Sequence, residues 1–248
     1  MTKSPKIGIL ITARLKSTRL RRKVLRPMLG KPMILHLIES LQRTKFSSNI
    51  VLITSNLSSD DELESLAVGN GIEIYRGHPD DVLLRIYEAA SFHSFDHVVN
   101  CTADNPLIFP EWVDNLMDYH IKSNNDYSTV MGLPWGTFSW ALAISAVKKA
   151  IEIKQEIDTE VWGGYFTENS IFKCGDLPID PKGYSAVRLT VDEIEDFVLV
   201  QEVLNYYQSN GLYNSFSNFI DLYKYDPELF RVNRQVKQKK GKPVKFKS

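Results

Sequence analysis

The sequence predicts an α/β fold in which a mostly parallel, twisted sheet carries helices on both faces. Three observations point there. Between Ile7 and Lys122, short apolar runs rich in β-branched residues alternate four times with segments of helical period, the rhythm of successive βα units. The first run, Ile7-Gly-Ile-Leu-Ile11, is continuously apolar, as expected of a strand covered on both faces. A chain of 248 residues, 43% of them hydrophobic, can also bury one sizeable core.

The elements follow in order. A polar loop over residues 12–31 leaves the first strand. Pro32 then opens a helix with Met33, Leu37 and Leu41 on one face. Residues 49–54 read as a second strand. Ser58-Ser-Asp-Asp-Glu62 starts a second helix with capping residues and acidic first-turn charge, and Gly69-Asn-Gly71 stops it. A third strand over 72–75 precedes a helix over 79–93, and a fourth over 97–102 precedes a helix over 111–122. After Asn125 the rhythm changes. Residues 127–131 and 171–174 read as strands around a helix over 145–154, and 188–191 as a strand leading into a helix over 193–207. Phe216, Phe219, Tyr223 and Phe230 stand at near-helical spacing and are expected in a core or interface. The tail from 234 to 248 is rich in Lys and Gln without apolar period, which predicts a solvated tail. No repeat or low-complexity linker divides the chain, so a single domain over 1–248 is expected.

Thirty Lys and Arg balance thirty Asp and Glu, so net charge points to neither a nucleic-acid nor a membrane partner. Cys101 and Cys174 form no CxxC pattern and read as incidental thiols. The N-terminal residues lack the apolar length of a signal peptide or a membrane span. A soluble, cytoplasmic protein is expected.

The chemistry lies in the loops. In open α/β sheets ligands bind beyond the carboxyl ends of the strands, and the loops over 14–31, 75–81 and 102–110 all leave those ends. Arg14, Lys16, Arg19, Arg21, Arg22 and Lys23 crowd the first of them without an acidic neighbour in sequence. Such a cluster repels itself unless an anion or the solvent screens it, and its position suits a polyphosphate better than an idle solvated loop. Neither GxxxxGK[ST] nor GxGxxG is present. Asp104 ends the fourth strand, where it suits either magnesium or a turn cap. Asp192 ends the 188–191 segment with the same two options. Together with the cationic loop, the two aspartates suggest Mg2+ clamped between carboxylates and phosphates.

Ala13-Arg-Leu-Lys-Ser-Thr-Arg-Leu-Arg-Arg-Lys-Val-Leu25, followed by Gly30-Lys-Pro-Met-Ile34, resembles the signature of the cytidylyltransferases that make CMP-activated sugar acids. The branch named after spore-coat polysaccharide biosynthesis is the nearest. Tyr75-Arg-Gly-His-Pro-Asp-Asp-Val-Leu83 with Arg85, Thr102-Ala-Asp-Asn-Pro-Leu107, Arg188-Leu-Thr-Val-Asp192 with Glu195-Asp196, and Asp226-Pro-Glu-Leu229 with Asn233 resemble its later blocks. The resemblance implies a nucleotide-diphospho-sugar transferase-like sheet, with an excursion over 127–180 that pairs two copies into a homodimer. It implies CTP as substrate and a grip on its triphosphate by Arg14, Ser17, Arg19 and Lys23, with magnesium on Asp104 and Asp192. Ala13, Arg76, Asp81, Thr102 and Ala103 fall in the same nucleotide-binding blocks. The chain departs from the family in two places. It has Leu20-Arg-Arg-Lys23 where the family usually reads Leu-Pro-Gly-Lys, and Thr159-Glu-Val-Trp-Gly-Gly-Tyr-Phe166 where the related branch carries a His-Val-Thr segment.

The expected reaction is transfer of CMP from CTP to a small anionic acceptor, a sugar acid or a phosphorylated metabolite of surface-polysaccharide or capsule synthesis, with pyrophosphate released. Arg14, Arg19, Lys23 and Asp104 would act on the phosphates. Arg188 and His78 are the candidates for the acceptor's anionic group. Trp135, in a Gly-Pro-Trp-Gly-type turn, suits either stacking on a ligand or packing of the turn. Trp162 and Tyr165 flank Gly163-Gly164, whose missing side chains favour close approach of a ligand. His93 and His97 lack the glutamate of HExxH and read as a helix end and a strand start. Two other functions remain open: a glycosyltransferase using a nucleotide sugar, although no Asp-x-Asp motif is present, and a non-catalytic nucleotide-binding regulator.

Overall fold

The computed structural model describes residues 4–179, 183–238 and 243–247. One seven-stranded sheet organises them, in the order β5-β4-β1-β6-β8-β7-β9. β1 (Ile7–Thr12), β4 (Ile50–Ser55), β5 (Glu73–Gly77) and β6 (His97–Thr102) are mutually parallel. The two-residue strands β2 (Pro27–Met28) and β3 (Lys31–Pro32) form a small hairpin inside the loop after β1.

Alternation along the strands divides the apolar residues between two layers. Ile9, Ile11, Leu52, Val99 and Cys101 face one side. There they meet α1 (Met33–Leu41), α2 (Asp61–Gly69), α4 (Pro110–Ser123), α7 (Ile194–Ser209) and α8 (Phe216–Tyr225) through Leu37, Leu63, Val113, Leu199 and Phe219. Leu10, Val51, Ile53 and Val98 face the other side, against Ile86 of α3 (Val82–Phe92), Val147 of α5 (Ile144–Ile153) and Phe166 of the short α6 (Gly164–Thr167). β1 lies between β4 and β6 and is covered on both faces, which is why its sequence is continuously apolar. Phe216, Phe219 and Phe230 lie in the first layer, and Tyr223 packs against them.

Residues 127–180 do not stand apart from the sheet. β7 (Tyr127–Met131), β8 (Trp140–Ala143) and β9 (Cys174–Pro178) complete it, with β8 antiparallel to both β6 and β7. β8 has no counterpart in the sequence reading. Its Trp-Ala-Leu-Ala run has little β propensity and merges with the apolar period of α5. The expected 171–174 strand lies a few residues later, where Gly175 and Pro178 weaken the signal at a sheet edge. The expected 188–191 strand reduces to a single bridge, Trp135 with Arg188. Its other hydrogen bonds go to irregular loops, such as Val191 N–H to the Asp104 carbonyl at 2.8 Å.

The tail also differs from expectation. Lys245 and Lys247 form backbone hydrogen bonds with Gln155 and Ile153 at the end of α5, and Phe246 packs edge-on to Tyr165. No helix among the described residues is long and apolar enough to cross a membrane.

On α4, fully buried His120 lies 3.2 Å from His97 and 3.0 Å from the Ser128 hydroxyl. Burial, and then the neighbouring His97, push its imidazole down from 6.5 to about 4. Between those values the unfolded chain holds a proton that the folded chain does not, so stability falls as pH drops through this window and is unaffected above it. The loss from this group reaches about 3 kcal/mol at pH 4, at roughly 1.4 kcal/mol per pH unit. Urea unfolding between pH 7 and 4.5 should show that slope, and His120→Gln should flatten it whatever its effect at pH 7.

Candidate functional site

The parallel strands end together. Thr12 is in register with Thr102, and backbone bonds continue past both ends: Ala13 N–H to the Ile53 carbonyl, and Ala103 N–H to the Thr12 carbonyl. The loop after β1 therefore emerges beside the loop after β6. A third segment arrives from the antiparallel part of the sheet. Because β8 runs against β6, with Trp140 opposite Asn100, the turn leading into β8 lies at the same edge as Asp104. Trp135 in that turn donates to the Val187 carbonyl at 2.8 Å and accepts from Leu189 N–H at 2.6 Å. Residues 187–192 are thereby held between the Trp135 turn and the Asp104 loop. Gly136 makes the approach possible: at φ 96°, a Cβ on it would lie 2.3 Å from the Thr190 nitrogen.

At the meeting point the Lys23 ammonium contacts Asp104 and Asp192, both at 2.8 Å. Burial alone would lower the Lys23 pKa, but the two carboxylates outweigh it and raise it. Burial would likewise raise the Asp192 pKa, yet Lys23, Arg188 and Arg19 hold it below the usual carboxylate range. Arg19 adds contacts to Asp192 at 3.1 Å and Glu193 at 3.0 Å. Glu193 caps α7 reciprocally with Asp196. Behind them, 9%-exposed Arg188 donates to Asp196 at 2.9 Å, to Asp192 at 2.8 Å and to the Gln238 side chain. Asn233 also donates to Asp196, at 2.7 Å.

The cations after β1 are thus not without acidic neighbours, as the sequence suggested. Their partners come from distant loops: Asp60 and Asp80 for Arg14, Asp80 and Glu160 for Lys16, and Glu62 for Arg22. A second cluster forms beyond β4 and β5. Buried Asp60 accepts from Arg14 at 3.1 Å, from Leu15 N–H at 2.8 Å and from the Ser55 hydroxyl. Those bonds overcome the upward push of burial and hold its carboxyl low. Arg14 and the buried Arg85 both donate to the Pro79 carbonyl, and burial followed by repulsion from Arg14 lowers Arg85 to about 10.

A crevice of about 130 Å³ opens beside Asp104 and Asp192, with Trp135, Phe138 and Trp140 along its wall. Thr102 and Asn105 also line it. Two aspartates that already share one ammonium are close enough to share another cation. Among the described residues no group of three or more His, Cys, Asp or Glu could hold a metal. Two carboxylates completed by phosphate oxygens and water are the donor set magnesium favours, so the residues fit such an ion.

Residues 8–222 match the cytidylyltransferase family. The chain belongs to that family. Its sequence is 31% identical over 243 residues to an uncharacterised protein, MJ1063, of Methanocaldococcus jannaschii, covering 96% of this chain and 98% of that one. It is also 31% identical over 134 residues to the Bacillus subtilis spore coat polysaccharide biosynthesis protein SpsF, about half of each chain. A solved cytidylyltransferase from Leptospira borgpetersenii superposes with a TM-score of 0.83 at 28% identity, over 91% of this chain and 97% of that one. The protein is accordingly a CTP-dependent nucleotidyltransferase.

Within this cytidylyltransferase, Arg19, Lys23, Asp104 and Asp192 come together, and Thr102 and Trp135 line the adjoining crevice. Arg14 stands at the neighbouring loop cluster, with Ser17 half-buried in the loop between them. Other candidates are placed elsewhere. Arg76 is taken up by Asp61, Glu64 and two backbone carbonyls beside α2. Asp81 caps α3 and is buried against Lys154 and Thr159. Ala13 and Ala103 are buried, and their amides extend the strand ladder. His78 Nδ1 accepts from the Asp80 and Asp81 amides. Trp162 and Tyr165 are buried in the second layer, and a Cβ on Gly164 would press on Val244 at 3.0 Å. Gly164 therefore admits the C-terminal segment at close range. The sequence reading missed Asn105, Phe138, Trp140 and Gln238, whose residue types and spacing carry no signal without the turn into β8.

The departure at Leu20-Arg-Arg-Lys23 has a structural counterpart. Arg22, standing where the family usually has glycine, adopts φ 54° and ψ 32°. A left-handed conformation costs a side-chain-bearing residue about 1–2 kcal/mol. In urea melts Arg22→Gly should be neutral or mildly stabilising, whereas Arg22→Ile should lose on the order of 1 kcal/mol more than the wild type. Arg188 has the opposite character. Arg188→Leu leaves fully buried Asp196 without a cation, while Asp192 keeps Lys23 and Arg19. It should cost about 3 kcal/mol in the same assay, while an unchanged melt would show that the arginine is free for a ligand.

Proposed function

We propose that this cytidylyltransferase transfers CMP from CTP to an oxygen of a small sugar-like metabolite and releases pyrophosphate. The observation that carries the reading is the Lys23 ammonium held between Asp104 and Asp192 at the mouth of the parallel sheet, with Arg19 alongside. A cationic group is already stabilised where a nucleoside triphosphate meets this type of sheet. The family match and the polysaccharide-biosynthesis name of the B. subtilis relative support a role in making an activated sugar.

Magnesium is the ion we assign to Asp104 and Asp192. When bound, it supplies charge neutralisation at the α-phosphate. The protein's own contribution is positional. Lys23 and Arg19 would present their charge to the triphosphate, where it would stabilise the departing pyrophosphate. Arg14 is fixed by Asp60 and the Pro79 carbonyl and keeps the 78–80 loop against the end of β1, shaping the nucleotide side of the crevice. The acceptor oxygen attacks the α-phosphorus from the Asp104 side, in line with the leaving pyrophosphate. Two copies acting as a homodimer fit the exposed Met131, Ile157, Val161 and Ile171, all on residues 127–180.

CTP with magnesium should stabilise the protein against heat by about 2.7 kcal/mol at 100 times its dissociation constant, with ATP and GTP doing less. Asp104→Ala should lower pyrophosphate release at least a thousandfold and remove the magnesium-dependent part of the shift, with the apo melting point nearly unchanged. A near-normal rate in that variant would falsify the metal assignment.

A further inference from the structure

Residues 243–247, Pro-Val-Lys-Phe-Lys, alternate in the manner of a strand laid on a surface. Val244 and Phe246 are half-buried against the second apolar layer, while Pro243, Lys245 and Lys247 are exposed. The segment runs antiparallel to the chain leaving α5, with Phe246 opposite Lys154. Gln155 N–H donates to the Lys245 carbonyl at 2.9 Å, and Lys247 N–H to the Ile153 carbonyl at 2.8 Å. The Lys247 ammonium adds a bond to the Glu152 carbonyl, also 2.8 Å. α5 ends at Ile153, and its C-cap Lys154 is already extended, at φ −68° and ψ 141°. The last carbonyls of a helix have no partners within it, and a cation there also suits the helix dipole. The C-terminal segment thus caps α5 with both its backbone and Lys247.

The seat for this segment is complementary to it. A Cβ on Gly164 would lie 3.0 Å from Val244, and Tyr165 meets Phe246 edge-on at 5.7 Å. Gly164 and Tyr165 both fall in the 159–166 stretch where the chain departs from its family. What the segment holds leads to the nucleotide side. Between its two backbone bonds lies Lys154, whose ammonium contacts Asp81 at 2.6 Å, with both side chains buried. Asp81 also accepts from the Leu84 amide at 3.0 Å and from the Thr159 hydroxyl at 3.1 Å. Thr159 in turn accepts from the Leu83 amide at 3.0 Å, and its own amide donates to the Asp80 carbonyl at 3.1 Å. Arg14 is bound to the same turn through the Asp80 carboxylate and the Pro79 carbonyl. The series runs without a gap from the C-terminal segment to the loop that leaves β5, and on to Arg14 beside β1.

We infer that residues 243–247 are a strap that positions the nucleotide side of the site, with Phe246 as its anchor. Without the strap, Lys154 would sit on a frayed helix end and Asp81 would lose a fixed counter-ion. A solvated pair of that kind contributes little. The turn over 78–84 would then depend on Thr159 alone, and Arg14 would lose its backing. Phe246 is a positioning residue, acting through Lys154 and Asp81 rather than on a ligand. The effect on CTP rests on the cytidylyl-transfer reading; the strap itself rests on the contacts alone.

The test compares the full chain with one ending at residue 242, and with the variants Phe246→Ala and Phe246→Tyr. Amide hydrogen exchange and a calorimetric titration with CTP and magnesium are read on each. Truncation and Phe246→Ala should speed exchange at Leu83, Leu84 and Thr159 at least tenfold, with α1 and α7 exchanging as in the wild type. Both should weaken CTP at least fivefold. Phe246→Tyr keeps a ring on Tyr165 and should match the wild type within twofold in both readouts. Wild-type exchange at those three amides in the truncated chain overturns the inference. So does acceleration spread equally over α1 and α7, or an unchanged CTP affinity. A full chain that binds no CTP sinks the cytidylyl-transfer reading instead, and exchange alone then decides the strap.

Discussion

One ammonium between two carboxylates holds the site together. Lys23, Asp104 and Asp192 come from three segments far apart in the chain, each flanked by buried residues of one apolar layer: Leu20 and Val24, Ala103 and Leu107, Leu189 and Val191. Without the shared charge, Asp104 and Asp192 would repel across a partly desolvated gap and the segments carrying them would separate. The pairing also explains the pKa directions: Lys23 is driven up and Asp192 down, each against the effect of its own burial.

The support behind this clamp is electrostatic first and apolar second. Asp196 accepts from Arg188, from Asn233 and from the backbone amides of Asp192 and Glu193, so a fully buried carboxylate anchors the start of α7. Asp60 does the same for the first loop through Arg14, Ser55 and the Leu15 amide. Buried charges of this kind add little net stability, but removing one partner is expensive. They therefore orient the polar side chains of loops whose buried Leu20, Val24, Leu189 and Val191 belong to the apolar layer.

Much of the fold was readable from the chain. The four βα units, the doubly covered first strand and the burial of Phe216, Phe219 and Phe230 follow from periodicity and residue type, which act over a few neighbours. Elements beyond Asn125 were harder to read because local preference and final environment disagree. Trp140-Ala-Leu-Ala143 becomes a strand only because β6 and β7 supply hydrogen bonds on both sides, and Arg188-Leu-Thr-Val191 fails to become one because its neighbours are loops. The tail was read as solvated, yet Phe246 finds a partner in Tyr165 and its flanking backbone finds α5.

The sequence by itself determined the class of fold and the family, and it singled out Arg19, Lys23, Asp104 and Asp192, which the structure brings together although only Asp104 lies just after a strand. Only the tertiary structure decided which charges are free. Arg76, Asp81 and Arg188 are charged side chains in family-like positions, but each is neutralised by a partner more than two residues away in the chain, through contacts that no local pattern encodes. The crevice beside Asp104 belongs to the same category. Its aromatic wall exists because an antiparallel strand reverses the chain beside β6 and delivers Trp135 and Phe138 to Asp104, a consequence of strand direction rather than of the residues themselves.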